Sequence, residues 1–255
     1  MAQTRHKLTI IILMMWVCVV MFGASKPNVY AQSDNIDIVV VIDNSGSMHS
    51  KNGSDPSGLR YEATKMLINL VTENDRIGIV HFSDNARVVG DTMYRVSGID
   101  KETLSKELDM LYTDYVTGND LRERTKDGWV KNDAQVKPSG TKYGIAFDTT
   151  REFLQKNKQN NKQAVIFLTD GAPDDWNAES INATVQEQIK QMNVPVYLLA
   201  LNNNKDKSND MEATKQAFTQ ANQQVVTIDS ANDIAQALAR VITELQPGTY
   251  VDVLQ

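Results

Sequence analysis

Six of the seven residues at positions 36–42 are valine or isoleucine, and no other pattern in the chain restricts its fold as strongly. A strand this uniformly apolar has no polar face to turn toward water, so both of its faces must be covered. Strands of this kind belong to parallel sheets with helices packed on both sides. The sequence therefore predicts an α/β domain in which residues 36–42 form the central strand.

Short β-rich runs and amphipathic segments of helical period alternate along the rest of the chain. This alternation predicts a doubly wound, mostly parallel sheet of six strands with helices on both faces. A short connection at residues 83–85 suits a hairpin, which makes residues 86–89 an antiparallel edge strand. The predicted strands cover residues 36–42, 76–82, 86–89, 164–168, 194–199 and 225–228, and the predicted helices cover 59–74, 101–111, 178–192 and 211–221, with two more carrying Ile145, Thr149, Phe153 and Ile234, Leu238, Ile242, Leu245.

The amino-terminal segment has the pattern of an export signal. Arg5 and Lys7 precede an apolar run at residues 8–22, and Ala31 provides a small residue before a cleavage point ahead of Gln32. The alternative is an uncleaved membrane anchor, because the apolar run approaches the length of about 17 residues that crosses a bilayer. Both interpretations predict an exported or cell-surface protein.

These boundaries divide the chain into a signal peptide or anchor at residues 1–31, one domain at 32–246, and a C-terminal extension at 247–255. The extension either joins the sheet edge or begins a further segment of a longer protein. Within the domain, residues 113–139 form a polar insertion without periodicity, which is typical of a functional or disordered loop. The single cysteine, Cys18, lies in the signal, so no disulfide is expected in the domain.

The charge of the chain argues against some classes of partner. It has 26 basic and 32 acidic residues, and removal of the three basic residues in the signal leaves a formal charge of −9. A surface of this sign repels nucleic acid and anionic lipid. We expect no nucleic-acid partner, and contact with a membrane only through an uncleaved amino-terminal segment.

Two predicted strands end in an aspartate. Asp43 is followed by Ser45 and Ser47, and Asp170 follows the strand at 164–168. In the strand order 3-2-1-4-5-6, these strands are neighbours at the switch point, where a crevice opens for ligand. Two close carboxylates require either protonation of one or a cation between them, and the adjacent hydroxyls favour the cation. Ligands made only of oxygen suit Mg²⁺, Mn²⁺ or Ca²⁺.

The set Asp43-x-Ser45-x-Ser47, Thr141 and Asp170 resembles the metal-ion-dependent adhesion site of von Willebrand factor A domains, including exported domains of bacterial type. The resemblance extends over nearly all of the predicted domain. It implies that the serines and the threonine bind the cation directly and that the aspartates bind it directly or through water. It also implies an open position that accepts a carboxylate from a partner.

Thr141 has a second interpretation, and its neighbour Lys142 departs from the family pattern. Thr141 opens a predicted helix beginning at Lys142, and an N-cap role would by itself explain a threonine there. Lys142 departs from the small or acidic residue that the family pattern leads us to expect. A cation beside a bound metal opposes it, so Lys142 is expected to weaken or retune the site.

Two tryptophans lie near the expected crevice. Trp129 falls in the insertion and Trp176 follows Asp170 closely. Each has two interpretations: a rim contact for ligand, or an anchor that packs a loop against the body of the domain.

The oxygen ligands and the family resemblance together imply a non-enzymatic binding module that holds one divalent cation, with Mg²⁺ as the first candidate. The resemblance implies that the cation binds a carboxylate of a protein partner. One alternative is a metal-dependent hydrolase or phosphatase that uses Asp43 as nucleophile or the metal to activate water. Against it, Ser45 stands where a haloacid-dehalogenase-type enzyme would have a second aspartate, and no G-x-S-x-G motif or phosphate loop is present. Another alternative is an assembly or regulatory subunit, which the export signal opposes.

Overall fold

The computed structural model describes residues 35–49, 53–117, 122–125, 128–131, 140–176, 180–202 and 208–247. The predicted signal segment and nearly all of the predicted extension lie outside these ranges. Within the part of the chain that is described, no helix is both long enough and apolar enough to cross a lipid bilayer.

Strands and helices alternate along the domain. The strands are β1 Ile36–Asp43, β2 Arg76–Phe82, β3 Ala86–Arg95, β4 Arg122–Thr125, β5 Gly128–Lys131, β6 Lys162–Thr169, β7 Val196–Leu201 and β8 Gln224–Ile228. The α-helices are α1 Gly46–His49, α2 Leu59–Leu70, α3 Gly98–Thr117, α4 Tyr143–Lys156, α5 Ile181–Met192, α6 Ser208–Gln220 and α7 Ile234–Leu245, and a 3-10 turn, Ala231–Asp233, precedes α7.

The main sheet has six strands in the order β3-β2-β1-β6-β7-β8. Every neighbouring pair is parallel except β2 and β3, which are antiparallel. The predicted order, the central position of β1 and the antiparallel edge strand are all confirmed. The carboxyl ends of β1 and β6 therefore lie side by side, with Ile42 opposite Leu168.

Each face of the sheet is covered by three helices, and β1 contributes to both cores. Ile38 and Val40 pack with α2, α3 and α7. Val39 and Val41 pack on the opposite face with α4, α5 and α6. All eight residues of β1 are buried. This two-sided burial is the reason that the strand is apolar along nearly its whole length.

A glycine in β2 lets α4 approach the sheet closely. A Cβ added to Gly78 would lie 2.2 Å from Cε1 of Phe153, on α4. Protein cores are packed too densely to absorb such an overlap without movement. Gly78 therefore fixes the distance between β2 and the helix that begins beside the candidate site.

Buried polar contacts lie at the end of the sheet where β1 begins. Arg76 donates from Nε and Nη2 to the two carboxylate oxygens of Asp37, at 2.8 and 2.6 Å. Asp75 accepts hydrogen bonds from the backbone N–H of Ile36 at 2.9 Å and from Nε2 of Gln246 at 2.8 Å. The Asp37 carboxylate therefore links β1 to β2, and the Asp75 carboxylate links the start of β1 to the residue that follows α7.

Helix α2 and strand β3 end at residues other than those predicted from the sequence. Helix α2 ends at Leu70 rather than near residue 74, because Thr72 donates from its N–H and its hydroxyl to Asp75 Oδ2, both at 2.7 Å, and turns the chain. Strand β3 continues to Arg95 rather than stopping at residue 89. The backbone φ angle of Gly90, within this strand, is positive. The hydroxyl of Tyr94 donates a hydrogen bond to the carbonyl oxygen of Gly90 at 3.2 Å.

The polar insertion contains regular structure that its composition does not reveal. Helix α3 runs on to Thr117, and β4 pairs with β5 as a two-stranded antiparallel hairpin. The two strands are four residues each and lack apolar alternation, so they carry no periodic signal. The prediction of a stretch without structure at 113–139 was wrong for these residues.

The buried face of α4 is rotated from the predicted one. Ile145, which the predicted spacing placed on the apolar face, is 37% exposed. The buried side chains include Tyr143, Phe147 and Phe153. Of the predicted trio, only Phe153 packs in the core.

Candidate functional site

The candidate site forms where β1 and β6 end side by side. Asp43 is the last residue of β1, and Asp170 directly follows β6. Both side chains are buried. The chain turns away from the sheet at both points, which is the switch-point arrangement that places ligand sites in open α/β sheets.

The carboxylate of Asp43 accepts hydrogen bonds at both of its oxygens. Its Oδ1 accepts from the backbone N–H of Ser45 at 2.7 Å, and its Oδ2 accepts from the hydroxyl of Thr169 at 2.6 Å. Thr169 was not among the predicted site residues. It is the last residue of β6 and its side chain is buried, so it reaches Asp43 directly across the two strands.

The serines of the first loop join it to Asp170. Ser47 donates its hydroxyl proton to Oδ1 of Asp170 at 2.7 Å. The hydroxyls of Ser45 and Ser47 lie 2.9 Å apart, within hydrogen-bond distance of each other. Hydrogen bonds therefore link four of the five predicted site residues, from Asp43 through Ser45 and Ser47 to Asp170.

A third serine, Ser54, belongs to this cluster and was missed by the sequence reasoning. Its hydroxyl donates to Oδ2 of Asp170, so both oxygens of that carboxylate accept a hydroxyl proton. Ser54 lies in the polar connection between α1 and α2 and matches no motif.

Thr141 lies on the far side of the site, beside Gly171. A Cβ added to Gly171 would lie 3.8 Å from the Thr141 hydroxyl oxygen and 3.9 Å from that of Ser47. The hydroxyls of Thr141 and Ser47 therefore both lie next to Gly171.

The capping alternative for Thr141 is wrong. The N-cap of α4 is Lys142, and no side-chain hydroxyl caps the helix. The carboxylate of Asp175 accepts instead from the N–H groups of Tyr143 and Gly144, at 3.1 and 2.8 Å. The first turn of α4 is therefore satisfied from the loop after β6, and the Thr141 hydroxyl is not used as a cap.

Two buried carboxylates give the site an unfavourable charge. Burial and, to a smaller extent, the charge of Asp170 raise the pKa of Asp43 to about 7, against the hydrogen bonds from Thr169 and Ser45, which lower it. A group that holds its proton this strongly is poorly solvated as an anion. A cation beside Asp43 would favour its ionised form.

The ligands available here are oxygen atoms. Two carboxylates and the hydroxyls of Ser45, Ser47 and Thr141 surround one space, a set that fits Mg²⁺, Mn²⁺ or Ca²⁺. Among the described residues, no three His, Cys, Asp or Glu side chains come together as a metal-binding group. A cation at this site would therefore depend on the hydroxyls as well as on the two aspartates.

Lys142 carries an exposed ammonium next to the site. Its Nζ lies 3.9 Å from Oδ1 of Asp84, and its side chain is 46% exposed. Its backbone N–H donates to the carbonyl oxygen of Ser83 at 3.0 Å. The ammonium is therefore paired with a carboxylate, which reduces its repulsion of a cation in the site.

Trp176 packs against α4. Its ring stacks on Phe147 with centroids 6.4 Å apart and meets Tyr143 edge-on at 5.9 Å. These contacts fix the loop after Asp170 to the domain, as the anchor interpretation expects. Trp129 lies in β5, opposite Arg124, and its side chain is outside the described residues.

Comparison with protein families gives one clear match. A family model for the von Willebrand factor type A domain matches residues 37–240, which is most of the chain. A search of curated protein sequences gives no match.

Similar folds occur among solved structures. A von Willebrand factor type A protein from Catenulispora acidiphila is 16% identical, with a TM-score of 0.59 over 84% of this chain and 43% of that one. The pilus adhesin SpaC from Lactobacillus rhamnosus GG is 15% identical, with a TM-score of 0.60 over 84% and 31%. Proximal thread matrix protein 1 from the mussel byssus is 16% identical, with a TM-score of 0.54 over 84% and 48%. This chain spans less than half the length of each, and at such identities the likeness concerns the fold.

Proposed function

This chain belongs to the von Willebrand factor type A domain family, and we propose that it is an exported, non-enzymatic binding module. In this proposal the domain binds a protein partner through one divalent cation. The proposed ligands are Asp43, Ser45, Ser47, Thr141 and Asp170. Mg²⁺ is the expected ion, and Mn²⁺ and Ca²⁺ also suit oxygen ligands. The observation that carries the proposal is the pair of buried carboxylates beside three hydroxyls at the switch point of the sheet.

The energetics of the buried carboxylates support a cation. Asp43 and Asp170 lie close enough for the charge of one to raise the pKa of the other. A divalent ion bound there would offset this repulsion and offer a coordination position to a carboxylate of a partner. The protein's own part is to hold the oxygens in place, which the hydrogen bonds from Thr169 to Asp43 and from Ser47 to Asp170 do.

Two observations support an adhesive role outside the cell. The amino-terminal sequence has the pattern of an export signal. Two proteins of similar fold are named as a pilus adhesin and as a matrix protein of the mussel byssus. We extend an adhesive role to this chain as part of the proposal.

The surroundings of Asp43 favour binding over hydrolysis. A nucleophilic carboxylate must be accessible to the reacting atom of its substrate. Both oxygens of Asp43 are engaged, by the Ser45 N–H and the Thr169 hydroxyl, and the side chain is fully buried. This arrangement suits a carboxylate that holds a ligand shell in place rather than one that attacks a substrate.

An array of peptides in matched pairs tests the proposal directly. Each peptide is printed with its acidic residues and again with Asn and Gln in their place, and the purified protein is applied with Mg²⁺ or with EDTA. We expect binding to acidic peptides only, and only with Mg²⁺. The Asp43→Ala variant should not bind in either condition.

The matched control is Asp100→Ala, which removes an exposed aspartate in the first turn of α3, away from the site. It should bind as the unchanged protein does. Binding that survives EDTA, or that does not distinguish acidic peptides from their amide versions, would contradict the proposal. Turnover of a phosphate ester or peptide, abolished by Asp43→Ala, would favour an enzyme instead.

A further inference from the structure

The connection between α1 and α2 folds back onto the candidate site. The N–H of Ser54 donates to the carbonyl oxygen of Ser47 at 3.2 Å, and the N–H of Asp55 donates to that of Met48 at 3.4 Å. A Cβ added to Gly53 would lie 2.5 Å from the Ser47 oxygen and 2.6 Å from the Met48 oxygen. Only glycine permits this approach, which brings the side chain of Ser54 against Asp170.

Ser54 completes the hydrogen bonding of Asp170. Ser47 donates to one carboxylate oxygen and Ser54 to the other. A carboxylate held at both oxygens by donors from two separate segments has its orientation fixed. Partners of this kind orient the residues that ligate a metal, and their loss commonly lowers metal affinity by about 10- to 100-fold.

A buried ion pair fixes the segment that carries Ser54. Arg60 donates from Nη1 to Oδ2 of Asp55 at 2.8 Å, and both side chains are fully buried. The carboxylate of Asp55 also accepts the N–H groups of Leu59 and Arg60, at 2.7 and 3.0 Å, at the first turn of α2. The residue next to Ser54 is thereby bound to the start of a core helix.

The same arginine reaches the loop that carries the proposed ligands. Its Nη2 donates to Oδ1 of Asn44 at 3.1 Å, and the hydroxyl of Tyr61 donates to the same oxygen at 3.1 Å. Asn44 lies between Asp43 and Ser45 in the chain. Arg60 therefore connects the loop that carries Asp43 and Ser45 to the segment that carries Ser54.

We propose that Ser54 is a sixth functional residue of the site, a positioning residue that orients Asp170 for cation binding and is itself held by the buried Asp55–Arg60 pair. This inference rests on the proposed cation site. It extends the site beyond the five motif residues to a hydroxyl from the connection between α1 and α2.

Calorimetric titration of Mg²⁺ into protein freed of metal tests the inference. Ser54→Ala should lower the affinity for Mg²⁺ by about 10-fold or more, while its thermal midpoint in EDTA stays close to that of the unchanged protein. Ser54→Thr, which restores a hydroxyl, should recover most of the affinity. Ser57→Ala is the matched control, because Ser57 is an exposed serine of the same connection.

The outcomes separate the two proposals. Equal Mg²⁺ affinity in Ser54→Ala and the unchanged protein overturns the role of Ser54 and leaves the cation site intact. If the unchanged protein binds none of Mg²⁺, Mn²⁺ and Ca²⁺, the proposed function and this inference both fail. Should Ser54→Ala not fold, Ser54→Cys serves in its place, because a thiol is a weak hydrogen-bond donor.

Discussion

Replacement of Asp43 by asparagine should stabilise the metal-free protein while removing its response to Mg²⁺. Asparagine keeps the shape of the carboxyl group without its charge. Its amide oxygen can accept from the Ser45 N–H and its amide nitrogen can donate to the Thr169 hydroxyl, so both existing contacts have a counterpart. The buried charge is the main feature that the substitution removes.

The magnitude follows from the pKa of Asp43, which is raised from 3.8 to about 7 in the folded protein. Because the folded state holds this proton more tightly than the unfolded chain, the favourable contribution of the protonated group is complete below pH 4 and is lost as the pH rises to 7. Each pKa unit corresponds to about 1.4 kcal/mol, so the ionised carboxylate costs on the order of 4 kcal/mol above pH 7.

Urea unfolding in EDTA, followed by circular dichroism from pH 4 to pH 8, measures this cost. Near pH 4 the free energy of unfolding of Asp43→Asn should equal that of the unchanged protein. At pH 8 it should be larger by a few kcal/mol, up to the order of 4 kcal/mol that the pKa shift gives. Mg²⁺ at 100 times its Kd should then stabilise the unchanged protein by about 2.7 kcal/mol and leave the variant unaffected. If the variant is less stable than the unchanged protein at pH 8 in EDTA, the ionised Asp43 carboxylate does not destabilise the fold. If Mg²⁺ stabilises both proteins equally, Asp43 is not a ligand of the cation.

Three further substitutions test the scaffold. Arg76→Ala leaves the Asp37 carboxylate buried without its cation and should cost about 3 to 5 kcal/mol in urea unfolding, whereas a loss under 1 kcal/mol would contradict a buried pair. Gly78→Ala should cost about 1 to 3 kcal/mol by overlap with the Phe153 ring, and Phe153→Leu in the same chain should recover part of that loss. Asp175→Ala removes the carboxylate at the start of α4 and should lower the free energy of unfolding by about 1 kcal/mol. The amide protons of the first helical turn should exchange faster by NMR, and unchanged exchange would exclude the capping role.

The central sheet was predictable because its signals are local. The apolar run of β1 requires cover on both faces, and the aspartates that end β1 and β6 mark the edge where the site forms. Strand order then followed from the doubly wound arrangement. The structure places Asp43, Ser45, Ser47 and Asp170 together at that edge, as the sequence reasoning expected.

What the sequence did not reveal depends on contacts between distant residues. The cap of α4 comes from Asp175, 31 or 32 positions along the chain from the N–H groups that it accepts, so the local pattern pointed to Thr141 instead. Ser54 reaches Asp170 across 116 positions. Arg60 lies fully buried on a helix whose apolar spacing gives no indication that a charged side chain belongs there.

The hairpin of β4 and β5 was missed for a different reason. Its strands are short and polar, and they pair with each other rather than with the main sheet. Each strand has four residues and no alternation of apolar and polar residues, so the usual sequence signal for a strand is missing.

Titration of Mg²⁺ into the metal-free protein by isothermal calorimetry, with Asp170→Ala as the comparison, tests whether the site holds a cation. We expect one Mg²⁺ to bind per chain of the unchanged protein and no measurable binding by the variant. Equal binding by the two proteins, or no binding of Mg²⁺, Mn²⁺ or Ca²⁺ by the unchanged protein, would contradict a cation site built on Asp43, Ser45, Ser47, Thr141 and Asp170.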